Sequence, residues 1–233
     1  IHDADFSDLA VCTFWLPANA ALQTYEMRTH TTRPWSNGTI SFYAATPNLP
    51  GNYTGRYRLD NVTMRYAAEA PATETTCHDP TVPAPPGGVD GSTLLVNGNF
   101  DSGTTAPGWN TFGQISSQVS GGVFQFIKEA GSPAGVVLQT TGQPLLANEV
   151  LTASFELGNS SSVRKRVTVI LHDLDFSDLS ACTFWLEPGQ PLSSYIVRTF
   201  STKAWANTTL SVYPATAGAE QWIRFDNAAL RRT

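Results

Sequence analysis

The sequence predicts an all-β chain. It reads as a two-sheet antiparallel β-sandwich, present once in full over residues 93–233 and once more as its C-terminal half over residues 1–66, with a linker at 67–92. Three observations carry this reading. A shift of 170 positions superimposes HDADFSDLAVCTFWL, from His2, on HDLDFSDLSACTFWL, from His172, and the identities run on through Tyr25/Tyr195, Arg28/Arg198, Trp35/Trp205, Asn37/Asn207, Ser41/Ser211 and Tyr43/Tyr213; a fixed long period marks a tandem array of domains. The segments between turn signals are short, β-branched and aromatic, and no window sustains a helical period. The composition is that of secreted β-sandwiches: 14% charged, 11% aromatic, 18 Gly, 15 Pro and only 2 Met.

The first copy begins in mid-repeat. VCTFWL, TYEMRTH, TISFY and RYRLDNVTMRY read as its strands, punctuated by Pro17, Pro34, Pro47 and Pro50. In the last of them Tyr57 and Leu59 share one phase of the period-2 alternation, whereas Val62 and Met64 take the other; copy two repeats the slip between Ile223/Phe225 and Ala228/Leu230. One extra residue in a strand does this, so a β-bulge is expected at Asp60-Asn61 and at Asp226-Asn227. The Pro-, Thr- and Ala-rich stretch 67–92 lacks apolar bulk and reads as a semi-rigid extended linker. Order resumes at LLVNGNFDSG and continues through GGVFQFI, GVVLQTT, the alternation Leu151, Ala153, Phe155, Leu157, and RKRVTVILHD. About eight to ten strands over 94–233 suit two packed sheets. The half copy is not self-sufficient: it exposes an apolar inner face and unpaired edges, which an upstream front half or a neighbouring chain is expected to cover.

Charge and hydropathy exclude some functions. A net charge of −5 gives no electrostatic reason to bind nucleic acid or anionic lipid, and no apolar run reaches the ~20 residues of a membrane span. The chain starts at Ile1 without a signal peptide, which reads as a processed or truncated piece. Of the three cysteines, Cys12 and Cys182 are repeat equivalents, while the equivalent of Cys77 falls past Thr233. One bond per repeat then pairs Cys12 with Cys77 and leaves Cys182 without a partner; three free thiols are the other reading.

LLVNGNFDSG with APGW near the start of the complete repeat, and WIRFDNAAL at its end, resemble the two ends of a galactose-binding-like jelly-roll carbohydrate-binding module of the type of families 4, 9 and 22. The resemblance covers 94–233 and, for its back half, 1–66. It implies a jelly roll whose opening strand, near Val96, lies beside the final strand, near Phe225. It also implies a structural Ca²⁺ between the opening turn and the last strand, held by Asp101 and Asp226 with Asn99 and Asn97 as helpers. Asp stands for the family's Glu, and Asn227 for its second Asp, which lowers the ligand charge. Turn-forming Asn and Asp are the alternative. Modules of this kind also recur as non-enzymatic tandem domains in large bacterial surface proteins.

A sugar-binding module needs exposed rings with amide or acid groups beside them. The candidates are Trp109, Trp185, Trp205 and Tyr213, with Trp222 and Tyr195, each weighed against a place in the core. Trp185 alternates with Phe184 and Leu186 and so faces the other side of its strand. Asp173, Asp175 and Asp178 with His172 (Asp3, Asp5, Asp8 and His2 in copy one) have a spacing that suits either a cation or a solvated hairpin connection with Phe176 and Leu179 packed inward and Asx turns at the aspartates. Five N-x-S/T sequons, at Asn37, Asn52, Asn61, Asn159 and Asn207, would carry glycans in a eukaryotic secreted protein. No nucleophile elbow, His-Glu metal helix or P-loop is present, so the chain is not expected to be an enzyme. The expected function is a non-catalytic, extracellular tandem-repeat protein, structural or adhesive, at a cell surface or in a filament. Its partners would be neighbouring repeats or identical subunits. The alternative is a carbohydrate-binding module appended to a polysaccharide-degrading enzyme, with polysaccharide as partner.

Overall fold

A computed structural model describes residues 1–6, 8–17, 19–44, 56–66, 92–129, 134–214 and 222–232. Cys77, Asn52 and the linker 67–91 lie outside the described residues, as do the expectations placed on them. The strands are β1 (His2–Asp3), β2 (Gly38–Thr39), β3 (Asn110–Gly113), β4 (Ile115–Ser120), β5 (Val123–Lys128), β6 (Gly135–Thr140), β7 (Val150–Asn159), β8 (Lys165–Asp173), β9 (Leu179–Leu186), β10 (Ser193–Phe200), β11 (Thr208–Pro214) and β12 (Ile223–Arg232).

The complete repeat is an antiparallel jelly-roll β-sandwich. Its two five-stranded sheets have the orders β10-β7-β12-β5-β4 and β3-β6-β11-β8-β9. The alternating residues of facing strands meet between the sheets: Leu151, Ala153, Phe155 and Leu157 of β7, Val167, Val169 and Leu171 of β8, Phe184 and Leu186 of β9, and Leu210 and Val212 of β11 are all core residues. That burial of apolar area is what drives the sheets together.

The motifs at the two ends of the repeat are core devices. Phe100 is fully buried at a positive φ of 51°, a conformation costly for an aromatic residue, and its ring packs on Trp109, Phe124 and Phe225 at centroid distances of 5.5, 5.2 and 5.8 Å. The opening segment lies beside β12 as expected, although it forms no strand: the Leu94 amide donates to Leu230 O at 2.7 Å, and the Ala228 amide to Gly98 O at 2.9 Å. Gly98 is required there, since a Cβ would stand 1.9 Å from Ala228 O. The register of β12 against β7 shifts between Asp226 and Ala229, with Asn227 at φ 49°, so the phase slip in the sequence is a bulge. Asn61 takes the same left-handed conformation at φ 52°.

Sheet pairing explains why copy one does not form its predicted strands. In the complete repeat every back-half strand pairs only with strands from earlier in the repeat: β9 with β8, β10 with β7, β11 with β6 and β8, and β12 with β5 and β7. Within residues 1–66 the equivalents of these partners are limited to the last two residues of β8. Those two form β1, and they pair with β2 in the register that β8 and β11 use: His2↔Thr39 and Asp3↔Gly38 match His172↔Thr209 and Asp173↔Thr208. Among the described residues of 1–66, this corner is the whole of the regular structure. The apolar residues expected to face a core, including Phe42, Tyr43, Tyr57, Leu59, Val62 and Met64, are exposed.

Candidate functional site

The repeated HDxDFSDL stretch is a hairpin connection built twice. His172 Nδ1 bonds Asp173 O at 2.6 Å and its Nε2 bonds Ser211 Oγ at 2.8 Å; His2 repeats this with Asp3 O and Ser41 Oγ at 2.7 Å each. Burial lowers the pKa of His172, against the pull of Asp173. Asp173 accepts the amides of Ala206 and Asn207, and Asp178 Oδ2 accepts Thr202 N at 2.7 Å and Trp205 Nε1 at 2.7 Å. The aspartates therefore tie the 201–207 loop to the hairpin and are not free for a cation. Two details of the sequence reading are corrected. Asp173 and Asp178 are buried rather than solvated, and Phe176 and Leu179 do not pack inward. Phe176 instead sits at φ 58° with its ring stacked on His172 at 4.0 Å, as Phe6 does on His2.

The expected sugar platforms fare unequally. Trp205 is buried, with its indole N–H spent on Asp178, and Trp109 is buried against Phe100 and Phe225 with Nε1 donating to Asn97 O at 3.2 Å. Both are core residues rather than exposed platforms. Trp185 does face away from Phe184 and Leu186, yet it is covered: His30 meets its ring edge-on at 5.1 Å and the Arg166 guanidinium lies 5.6 Å from its centroid. Tyr195 packs on the core, with its hydroxyl taking a hydrogen bond from Gln190. Tyr213 alone of the four keeps part of its surface, on the outer side of β11.

That outer side is the open face of the β3-β6-β11-β8-β9 sheet. Period 2 and the ladder registers set its rows. Asn110, Leu138, Ser211, Ile170 and Ala181 form one row, and Phe112, Val136, Thr168 and Thr183 the next, with Tyr213 opposite Thr168. Phe112 is 65% exposed. It and Tyr213 are two strands apart, roughly 10 Å at the usual strand spacing. In these rows Asn110 and Phe112 are exposed and Leu138, Ile170 and Tyr213 partly so, while the hydroxyls of Thr168, Thr183 and Ser211 are buried, and no charge is exposed. Sequence reading missed Phe112, although the alternation in WNTFG opposite GVVLQT contains it once the register is known.

The β9 end of this face is occupied by the first copy. The Thr13 amide donates to Ala181 O at 3.1 Å, Cys12 stands opposite Cys182, Trp15 stacks on Phe200 at 3.7 Å, and Arg166 makes a buried ion pair with Asp8. Burial lowers the pKa of Arg166, which Asp8 opposes. Burial alone would raise Asp8, but Arg166 together with the Trp35 and Thr32 hydrogen bonds holds it below its ordinary value.

The residues expected to hold calcium lie in one neighbourhood: Asp226 feels the charges of Asp101 and Glu156, and Asn227 Nδ2 donates to Glu156 at 3.2 Å. Asn99 turns its amide nitrogen to Asp101 Oδ2 at 2.8 Å, and Asp226 Oδ1 is taken by the Asn227 amide at 2.7 Å. Asp226 is shifted up by burial and by the negative charges of Glu156 and Asp101, although the Asn227 bond opposes this. Among the described residues no three or more His, Cys, Asp or Glu side chains stand where they could hold a metal ion. The Asn159 sequon is also spent. Its buried amide donates to Val163, Leu186 and Glu187 carbonyls and accepts from Ser161.

No family model and no curated protein matches the chain. Solved structures of similar fold include an arabinose-bound α-L-arabinofuranosidase, at 18% identity and TM-score 0.48, where the match covers 60% of this chain and 26% of that one. A family 4 carbohydrate-binding module matches at 16% identity and TM-score 0.44, covering 59% of this chain and 99% of the module. The CBM22-1 xylan-binding domain of Paenibacillus barcinonensis Xyn10C matches at 18% identity and TM-score 0.46, covering 61% of this chain and 95% of that domain.

Proposed function

We propose that the complete repeat is a non-catalytic module that binds a neutral polysaccharide on the open face of β3, β6, β11 and β8, with Phe112 and Tyr213 as its ring surfaces. One observation carries this: away from the buried Arg166 the face exposes no charge, and Phe112 and the partly exposed Tyr213 present two aromatic side chains roughly 10 Å apart by strand spacing, beside the exposed Asn110. Sugar rings stack on aromatic faces, and the exposed Asn110 amide can pair with their hydroxyls. The test is titration of the full chain with soluble xylan and β-1,4-galactan, followed by Phe112→Ala and Tyr213→Ala. Each substitution should weaken binding about tenfold, equivalent to ~1.4 kcal/mol. Absence of binding, or binding unchanged in the double variant, overturns the assignment.

A second reading is favoured by the docking of copy one on β9: the chain is a structural or adhesive component of an extracellular repeat array. Contacts between repeats are what such an array needs, and they leave the β3-β6-β11 part of the face open. The two readings are compatible.

A further inference from the structure

The contacts between copy one and β9 have an internal symmetry. The shift that maps the repeats takes Val11 to Ala181, Cys12 to Cys182, Thr13 to Thr183, Trp15 to Trp185 and His30 to Phe200. Across the seam the Val11 amide donates to Thr183 Oγ1 at 2.9 Å, and the Ala181 amide donates to Thr13 Oγ1 at 2.8 Å. These are one interaction made twice with the roles exchanged. The aromatic contacts join equivalent positions with different ring geometry: Trp15 stacks on Phe200 at 3.7 Å, and His30 meets Trp185 edge-on at 5.1 Å. Cys12 opposite Cys182, antiparallel, sits on the axis of this local two-fold.

The match is not complete: the Thr13 amide donates to Ala181 O, whereas Val11 O takes the Thr183 hydroxyl at 3.1 Å, and one ion pair has no mate within residues 1–66. Arg166 pairs with Asp8, whose repeat equivalent is Asp178. The mate would be Asp178 with the equivalent of Arg166, a position that the period places before Ile1. A complete repeat carries both groups.

We infer that the β9 edge is a self-complementary docking surface whose natural partner is the β9 edge of a second complete copy of the repeat. Two such copies would place Cys182 opposite Cys182, donate each Ala181 amide to the other's Thr183, pack each Trp185 on the other's Phe200, and form two Arg166–Asp178 pairs. Such a contact is isologous and closes on itself, so repeats associate in twos through this edge and do not extend into a fibre by it. Pairing also removes the exposed edge that an open sheet would otherwise offer to any strand. The inference does not depend on the polysaccharide reading, which concerns another part of the face.

In the full chain, copy one occupies the edge. Val11→Pro removes the amide that Thr183 accepts and frees β9. Sedimentation velocity at tens of micromolar should then give twice the 25.1 kDa mass of the chain, and Val11→Pro with Ala181→Pro should return it to a monomer. A monomeric Val11→Pro chain, a ladder of species beyond two, or a dimer that survives Ala181→Pro each overturns the inference. An independent readout uses chains with the seam closed. By amide exchange, Thr183→Val should deprotect Val11 and Thr13→Val should deprotect Ala181, each at least tenfold. An effect on one side alone refutes the two-fold.

Discussion

Asp8→Asn tests whether the seam is held by charge. The substitution keeps a side-chain oxygen able to accept from Thr32 N and Trp35 Nε1, now 2.8 and 2.6 Å from Oδ2, and removes only the charge that faces Arg166. Both side chains of the pair are at most 2% exposed, so the arginine would be left as a buried cation without its counter-charge. Breaking one side of a buried pair costs about 3–5 kcal/mol, which is roughly a 10²- to 10³·⁵-fold rise in the opening equilibrium at about 1.4 kcal/mol per decade. Water entering the opened seam pulls the effect toward the lower end. The assay is amide exchange over residues 9–16 and 179–186, read against the central strands β7 and β8, which should stay protected. Acid gives a second check. Asp8 is held below its ordinary value in the folded chain, so its contribution is present above the unfolded pKa, near 4, and is lost as pH falls through the folded one. The wild-type seam should therefore open on acidification, and the Asp8→Asn chain should show no such transition. Asp178→Asn is the internal control, since it alters the same loop contacts in the complete repeat and leaves the Arg166–Asp8 pair intact. Seam protection unchanged within threefold in the Asp8→Asn chain would refute the reasoning.

Two further outcomes follow. Asp226 is shifted up by burial and by Glu156 and Asp101, so its ionised form is disfavoured in the fold; the associated stability is present at low pH and lost as pH rises through the folded value. Asp226→Asn should accordingly raise Tm at pH 7 and leave it unchanged near pH 3, whereas a lower Tm with loss of a Ca²⁺-dependent Tm increase would restore calcium as a ligand of this turn. Cys182 is a free thiol whose pKa is pushed up to about 12 by burial, so it should resist alkylation at pH 8 until the chain is denatured. Peptide mapping should join Cys12 to Cys77, and a Cys12–Cys182 bond would overturn the one-bond-per-repeat scheme.

Much of the fold was legible because it is written in alternation. Leu151 to Leu157 and Phe184/Leu186 against Trp185 announce their two faces, and the slip between Ile223/Phe225 and Ala228/Leu230 announces the bulge that the ladder shows. The repeat itself located the half copy. What period 2 does not encode is who pairs with whom. VCTFWL in copy one matches strand β9 in all but its first residue, yet in copy one it forms no strand of the main ladder, because its partner would be the equivalent of β8. A strand is a property of two segments, and local sequence reports only one of them.

The site was less legible for a related reason: exposure of a side chain depends on what lands on it. Trp205 and Trp109 sit next to turns, where ligand-binding rings often lie, but their indole N–H groups find Asp178 and the Asn97 carbonyl, and that turns them inward. Trp185 was placed on the correct side of its strand and is still buried, because copy one covers that end of the sheet. Arg166 went unmarked within Arg164-Lys165-Arg166, a run that reads as a solvated face, although period 2 puts it on the outer side with Thr168 and Ile170. Its counter-charge is 158 positions away in sequence, in the other copy. The repeat contained the missing information. Two copies of one edge in one chain meant that each strand had a ready partner in its own duplicate, and Thr13 and Thr183, the polar residues of an otherwise apolar segment, mark where the two edges bond.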